Sequence, residues 1–249
     1  GYVVDGYFKT DEEARNYKVD QSFVNQMINA SALDNGLHAG DLKFVDLDGN
    51  NKIEQTTSAN DRKDMKVIGN SLPRYNYNFG ISADWYGIDF SVLFQGIGKQ
   101  NWYPGAETSM FWGPYSRPYA SFIPSDFMSQ VWGEENTNAY FPRPRGYVAL
   151  GSNRELAVVN TKYLQNLAYC RLKNLSIGYT LPDKWLSKIG FEKIRVYFSG
   201  ENLLTFTKLH SDYIDPEQAS ASNSWKTSKS DANIYPWAKT YSFGVDITF

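Results

Sequence analysis

The chain has 249 residues, a formal net charge of −2 and a mean hydropathy of −0.49. Its 25 Lys and Arg residues are balanced by 27 Asp and Glu residues, which argues against a nucleic-acid-binding surface, since that needs a basic stripe. One cysteine, Cys170, and two histidines, His38 and His210, exclude an internal disulfide and argue against a zinc site of ordinary spacing.

Aromatic residues make up 16% of the chain. No segment reaches the roughly 18 consecutive apolar residues that indicate a membrane-spanning helix. A polar average with many aromatics is typical of a carbohydrate-binding β domain or of a membrane β-barrel, whose strands alternate. The chain begins at Gly1 with no signal-peptide pattern, so we expect either a processed chain or a piece of a longer one.

Acidic and amide residues early in the chain are spaced as at the start of a calcium-binding loop. Calcium takes about six to eight oxygen ligands, and positions one, three and five of such a loop supply side chains while position seven supplies a carbonyl. These positions are Asp46, Asp48, Asn50 and the carbonyl of Lys52. Position twelve is Thr57 rather than an acid, so an Asx-rich turn without metal is the alternative.

Five segments alternate between apolar and polar residues with a period of two, which predicts strands. They are residues 75–84, 88–95, 174–181, 194–199 and 241–249. One face of each is apolar throughout, and the other carries only Leu93 and Tyr197 as exceptions. We expect the last strand to pair with 194–199 on one edge and with a strand outside this chain on the other.

The connections between these strands are of two kinds. A tight turn near Trp85–Gly87 and a short link, Pro182–Phe191, with one helical turn at 183–188, lie at one end. The connections 96–173 and 201–240 are long, and the Ser-rich stretch 218–230 indicates a mobile loop. Short turns at one end and long loops at the other are typical of outer-membrane barrels.

The pattern therefore predicts an all-β fold, an antiparallel transmembrane β-barrel with long extracellular loops. Five strands cannot close, because single-chain barrels have at least about eight strands. We expect residues 1–73 to be an extracellular loop region with a possible calcium loop at 46–61. Residues 74–249 would hold the C-terminal transmembrane strands and loops of one barrel domain, with further strands missing from this chain.

Six stretches, in this order, resemble the C-terminal part of the SusC/RagA family of TonB-dependent outer-membrane transporters. They are 40–54, 68–75, 172–182, 194–207, Asp215-Pro216-Glu217 and 235–249. Each stretch is weakly specific alone, and together they span nearly the whole chain. The resemblance also implies that an Asp-Arg pair closes the Asp-rich loop, which makes Asp61 a further calcium ligand.

The resemblance implies a barrel of 22 strands around an N-terminal plug, in the outer membrane of a Gram-negative bacterium. It also implies import of oligosaccharides or peptides driven through the TonB complex, with a SusD-type surface lipoprotein as a lid. The partners are then that lipoprotein, TonB, the remaining strands and plug, the substrate and outer-membrane lipid, and not nucleic acid. The alternative function is a soluble, secreted carbohydrate-binding β domain.

The long loop 99–167 is rich in aromatic residues and contains two arginines close together. Its candidates for contact with a substrate or partner are Trp102, Tyr103, Trp112, Tyr115, Arg143 and Arg145. The rings could stack on sugars, contact the lid lipoprotein or pack within the loop. No spacing of residues indicates a catalytic group, so we predict that the chain is not an enzyme, with a glycosidase as a third and weakest reading.

Overall fold

The computed structural model describes residues 1–25, 36–56, 58, 60–116, 123–144, 149–151, 154–186, 190–222, 229–230 and 235–249. They form two compact units. The loop unit comprises Gly1–Ser71, Asn101–Gln165 and Ser222–Asn233, and the sheet unit comprises Leu72–Gln100, Asn166–Ala221 and Ile234–Phe249. The predicted boundary at residue 73 separates an extracellular loop region from the transmembrane strands. It concerns membrane topology and stays a prediction.

The elements follow one another as β1 (Val4–Tyr7), α1 (Asp11–Arg15), β2 (Leu42–Phe44), β3 (Arg74–Trp85), β4 (Ile88–Lys99), β5 (Asn101–Pro104), α2 (Ser109–Trp112), β6 (Gln165–Asn166), β7 (Tyr169–Thr180), α3 (Asp183–Leu186), β8 (Lys193–Thr207), α4 (Pro216–Ser222), β9 (Lys229–Ser230) and β10 (Thr240–Thr248). Two short 3₁₀ helices lie at Gly113–Tyr115 and Phe127–Gln130. None of the described helices is long and apolar enough to cross a membrane.

The sheet unit is built on one antiparallel sheet of five strands in the order β10-β8-β7-β4-β3. These are the five alternating segments predicted from the sequence. Strand β10 pairs with β8 in a continuous register, with Phe243 opposite Phe198 and Val245 opposite Val196. The predicted pairing of the last strand with residues 194–199 is therefore confirmed, while its pairing with a strand outside this chain stays a prediction.

The turn between β3 and β4 has only two residues, Tyr86 and Gly87. Their φ angles are 48° and 83°, and two positive values define the hairpin turn that matches the twist of the flanking strands. A Cβ on Gly87 would lie 2.8 Å from the carbonyl oxygen of Thr180, so glycine is required for both its conformation and its size.

Strands β7 and β8 are longer than predicted because each continues past a β-bulge. Lys173 is an extra residue between Asn174, which pairs with Leu93, and Leu172, which pairs with Phe94. On β8 the same irregularity places Asn202 in a left-handed conformation, with φ of 53°. A bulge shifts the alternation by one residue, so the periodic pattern stops there although the strands do not.

One face of the sheet is apolar and exposed. Phe79, Ile81, Phe243 and Val245 are 49%, 60%, 83% and 57% exposed. Beyond the bulge, Phe206 continues this face and is 62% exposed. The other face is polar, and its charged residues form the clusters described below. Exposed apolar surface on this scale indicates contact with another apolar medium or partner.

Two stretches of the long connections are more regular than the sequence indicated. The predicted turn after Pro182 is helix α3, described over 183–186, with 187–189 outside the described residues. The prediction that 218–230 is a loop was wrong at the start of this stretch, because helix α4 extends to Ser222. Residues 223–228 lie outside the described part of the chain. Asp215 caps α4, because its Oδ1 accepts hydrogen bonds from the backbone N–H groups of Glu217 and Gln218.

Candidate functional site

The Asp-rich loop of the loop unit brings three carboxylates together. One oxygen each from Asp46, Asp48 and Asp64 lies within 4.8 Å of the other two. The loop turns through left-handed residues, with φ of 80° at Gly49 and 63° at Asn51. The Asp46 oxygens accept hydrogen bonds of 2.7 Å from the backbone N–H groups of both residues.

Backbone donors lower the pKa of Asp46. Burial alone would raise its pKa, but the backbone hydrogen bonds from Asn51, Gly49, Asp48 and Asn50 together outweigh burial, and the pKa is lowered. Asn50 is held beside Asp48, because the backbone N–H of Asn50 donates a hydrogen bond of 3.1 Å to Oδ1 of Asp48. The loop thus presents oxygen-only ligands, which is the donor set that calcium prefers.

The structure places Asp64, rather than the predicted Asp61, beside Asp46 and Asp48 among the described residues. Asp64 is fully buried and accepts hydrogen bonds from the backbone N–H groups of Leu47 and Glu54, at 2.8 and 2.7 Å. The Asp61 carboxylate instead lies 3.6 Å from Lys63 Nζ. Asp61 and then Glu54 raise the pKa of Lys63. Lys52, whose carbonyl is a predicted ligand, lies two residues after Asn50. Its backbone N–H donates a hydrogen bond of 2.8 Å to Oδ1 of Asn50.

The predicted contact aromatics of the long loop lie in the core of the loop unit. Trp102, Tyr103, Trp112 and Tyr115 are at most 2% exposed. Tyr103 Oη donates to the Leu156 carbonyl at 2.8 Å, and Trp112 Nε1 donates to the Gly105 carbonyl at 2.9 Å. Burial raises the pKa of Tyr103 and of Tyr115. Of the three sequence-based alternatives, this burial favours packing within the loop region.

Arg143 is held by its own chain in the loop unit. Its Nε lies 2.9 Å from Oδ1 of Asp41, a fully buried carboxylate. Its backbone N–H donates to the Gly40 carbonyl at 3.0 Å. The second predicted arginine, Arg145, lies outside the described residues. Contact of either arginine with an anionic sugar stays a prediction.

A buried ion-pair cluster on the sheet unit was missed by the sequence interpretation. Arg171, on β7, lies 2.7 Å from Asp215 and 2.7 Å from Glu217, and its side chain is only 3% exposed. Lys173 reaches the same Glu217 carboxylate at 3.1 Å. The one available signal was Asp215-Pro216-Glu217 within the family resemblance, which gave no role for these acids.

A second group of ion pairs spans four strands on the same polar face. Arg195 on β8 pairs with Asp89 on β4 at 2.6 Å and with Asp246 on β10 at 3.1 Å. Gly178 on β7 lies between them, and a Cβ there would come within 2.6 Å of both Asp89 Oδ1 and Arg195 Nε. The missing side chain lets one guanidinium connect β4, β8 and β10.

Comparison with known proteins agrees with this fold. No family model matches the chain. TonB-dependent receptor P3 of Formosa agariphila is 31% identical over 212 residues, covering 83% of this chain and 19% of that receptor. TonB-dependent receptor SusC of Bacteroides thetaiotaomicron is 26% identical over 133 residues, covering 53% of this chain and 12% of that receptor.

Solved structures give the same fold. The RagAB peptide importer in its open-open state matches with a TM-score of 0.54 and 22% identity, over 84% of this chain and 21% of the matched chain. Its closed-closed state matches with a TM-score of 0.53 and 19% identity, over 100% of this chain and 23% of the matched chain.

The 31% identity to a TonB-dependent receptor over 83% of the chain shows that the chain belongs to the TonB-dependent receptors, and an antiparallel sheet with one exposed apolar face and one charged face is compatible with that class. Within it, the chain is a segment of a SusC/RagA-like TonB-dependent transporter. It spans about a fifth of the length of the curated relatives that it matches. TonB-dependent receptors are outer-membrane transporters of Gram-negative bacteria rather than enzymes.

Proposed function

We propose that this chain supplies the C-terminal strands of a β-barrel that imports oligosaccharides or peptides across the outer membrane, driven through TonB. The exposed apolar face of the five-stranded sheet carries the proposal, because each strand has at least one exposed phenylalanine, isoleucine or valine on that face, which fits lipid contact. The charged opposite face, with its Arg171 and Arg195 clusters, then faces a water-filled interior.

The barrel must be completed by strands that are not among those described. Strands β3 and β10 form the two outer edges of the sheet, and no described strand pairs with either edge. An unpaired edge in hydrocarbon leaves backbone groups unsatisfied, at several kcal/mol each. The proposed barrel has 22 strands around a plug, with residues 74–249 holding its last transmembrane strands and 1–73 exposed outside the cell.

The proposed partners follow from the same assignment. A SusD-type lipoprotein would cover the extracellular side, and TonB would act through a plug that precedes these residues. SusC and RagAB are the relatives that support this arrangement. The alternative, a soluble carbohydrate-binding β domain, is disfavoured because its sheet would bury its apolar face rather than expose it.

Calcium is proposed as a structural ion of the Asp-rich loop. Asp46, Asp48 and Asp64 would hold it together with Asn50 and the Lys52 carbonyl, whereas Asp61, whose carboxylate pairs with Lys63, is left out of the proposed ligand set. A bound cation would offset the repulsion between three carboxylates in one loop.

Import is tested in cells that carry the intact receptor. Labelled oligosaccharides and labelled short peptides are offered separately, with the receptor deleted, restored, or present while TonB is inactivated. The function is supported if one class of substrate is taken up, and if that uptake occurs only in the restored strain with active TonB. An intact receptor that stays monomeric in detergent-free buffer would contradict it.

A further inference from the structure

A cleft of about 520 Å³ lies in the loop unit, next to the first residues of the chain. Its walls are mostly apolar, and the residues that form them include Gly1, Met65, Val67, Ile68 and Leu164. Trp102 and Tyr103, which belong to the buried core of this unit, also line the cleft. One side of the cleft is therefore fixed by the core of the loop unit.

The first residues of the chain form a short β ladder that points into this cleft. Tyr2 bridges Met65 in the antiparallel sense and Asn160 in the parallel sense, so it lies between two flanking segments. The backbones of Gly1 and Lys66 exchange two hydrogen bonds, of 2.9 and 3.0 Å. Since Gly1, Lys66 and the residues after Lys66 line the cleft, it lies along the continuation of this ladder.

One flank of the cleft has backbone groups available to a further strand. Within the described part of the chain, no backbone hydrogen bond involves Val67, Ile68 or Gly69. Gly1 and Lys66 form a hydrogen-bonded pair, so the next such pair of an antiparallel ladder would involve Ile68. A strand edge with available N–H and C=O groups is a template for an added strand.

The surroundings of the Gly1 nitrogen suit a neutral peptide group. Burial lowers the pKa of the Gly1 ammonium group, which means that a charge is disfavoured at this place. A Cβ on Gly1 would lie 2.4 Å from the Ile68 side chain and 2.8 Å from the Val159 carbonyl oxygen, so both flanks approach the ladder closely here. A peptide N–H keeps the hydrogen bond to the Lys66 carbonyl without carrying a charge.

We propose that the cleft binds an extended segment of the intact receptor, namely the residues that lead into Gly1, as a strand paired with residues 66–69. The side chains that this segment turns toward the cleft are apolar, because the walls are. This chain spans about a fifth of its curated relatives, which leaves room for such a segment. The proposal rests on the function above, in which these residues belong to a longer receptor, and it adds that a strand from outside them completes the loop unit.

The test places two cysteines in an intact receptor from which all others are removed, including the free Cys170 by Cys170→Ser. One is Val67→Cys, and the other replaces the residue directly before Gly1. In the proposed register these two residues form a non-hydrogen-bonded pair with Cα atoms about 4.5 Å apart, which is within the range of a disulfide. After oxidation with copper phenanthroline, we expect neither thiol to react with a maleimide mass tag until a reductant is added.

The matched control moves the second cysteine one residue further from Gly1, where its side chain points to the opposite face of the strand and should stay reduced. Amide hydrogen exchange is a second measurement, and the Ile68 N–H should exchange about tenfold more slowly than the Val67 N–H. No disulfide, equal cross-linking at both positions, or equal exchange of the two amides overturns the proposal. If the disulfide forms but cells show no TonB-dependent uptake, the strand stands and the import function is contradicted.

Discussion

At the scale of single residues, the Asp-rich loop is where the chain concentrates like charge. Three carboxylate oxygens lie within 4.8 Å of one another, and backbone N–H groups already satisfy part of each carboxylate. Asp64 joins the group from outside the spacing that the motif prescribes. Asp64 is buried and belongs to the loop's hydrogen-bond network, and it would also be a ligand of the proposed ion.

Replacing Asp48 by asparagine should weaken calcium binding about tenfold, because it removes one of the proposed anionic ligands while keeping the shape of the side chain. Calorimetric titration of the intact receptor with calcium, after chelator treatment, measures this. Asp61→Asn is the matched control and should have little effect, since the Asp61 carboxylate pairs with Lys63. A receptor that shows no calcium binding, or an equal loss in both variants, would contradict the proposed site.

At the scale of secondary-structure elements, the two faces of each strand differ in what a charge would cost. Arginine at Val245 should destabilise the barrel by about 2–4 kcal/mol if the residue lies near the bilayer midplane. Ser242→Arg, on the polar face of the same strand, is the control and should be nearly neutral. Folding into lipid vesicles in graded urea, followed by gel mobility with and without heating, measures both. Equal effects would place β10 outside a membrane.

The ion pairs of Arg171 attach the β8–β10 connection to the sheet. Asp215 contacts β7 through Arg171, caps α4 and accepts from Trp237, so three segments meet at one carboxylate. Arg171→Ala should free this connection, because removing one partner of a buried pair costs about 3–5 kcal/mol.

Limited proteolysis of the intact receptor measures the effect of Arg171→Ala. We expect faster cleavage within 208–239 and no change elsewhere. The exposed carboxylate of Asp183 gives a control, and Asp183→Asn should be cleaved as the unchanged receptor is. If Arg171→Ala is equally resistant, the ion pairs do not hold the connection.

At the scale of the whole molecule, the free edges of β3 and β10 lead to a prediction about closure. A structure of the intact assembly should show β10 paired with β8 on one side and with a strand from outside these residues on the other. Hydrogen bonding in hydrocarbon requires such closure. A sheet that closes with these residues alone, or a β10 edge exposed to water, would contradict the barrel.

The sequence alone determined the five strands, their pairing at the C-terminal end and the family. Alternation is a local property of each strand, so it can be recognised in the sequence without knowing which strands are its neighbours in the sheet. The bulge at Lys173 and Asn202 hid the rest of β7 and β8, because one extra residue reverses the period. The start of α4 was missed because its cap, Asp215, lies just outside the Ser-rich stretch.

Only the tertiary structure decided which of the chemically suitable residues lie together. Trp102 and Trp112 are buried while Trp237 is half exposed, and composition cannot distinguish them. Asp64 rather than Asp61 joins Asp46 and Asp48, and Arg171 meets Asp215 across 44 residues of chain. Such contacts depend on long-range packing, whereas a sequence motif reports only residues that are near one another along the chain.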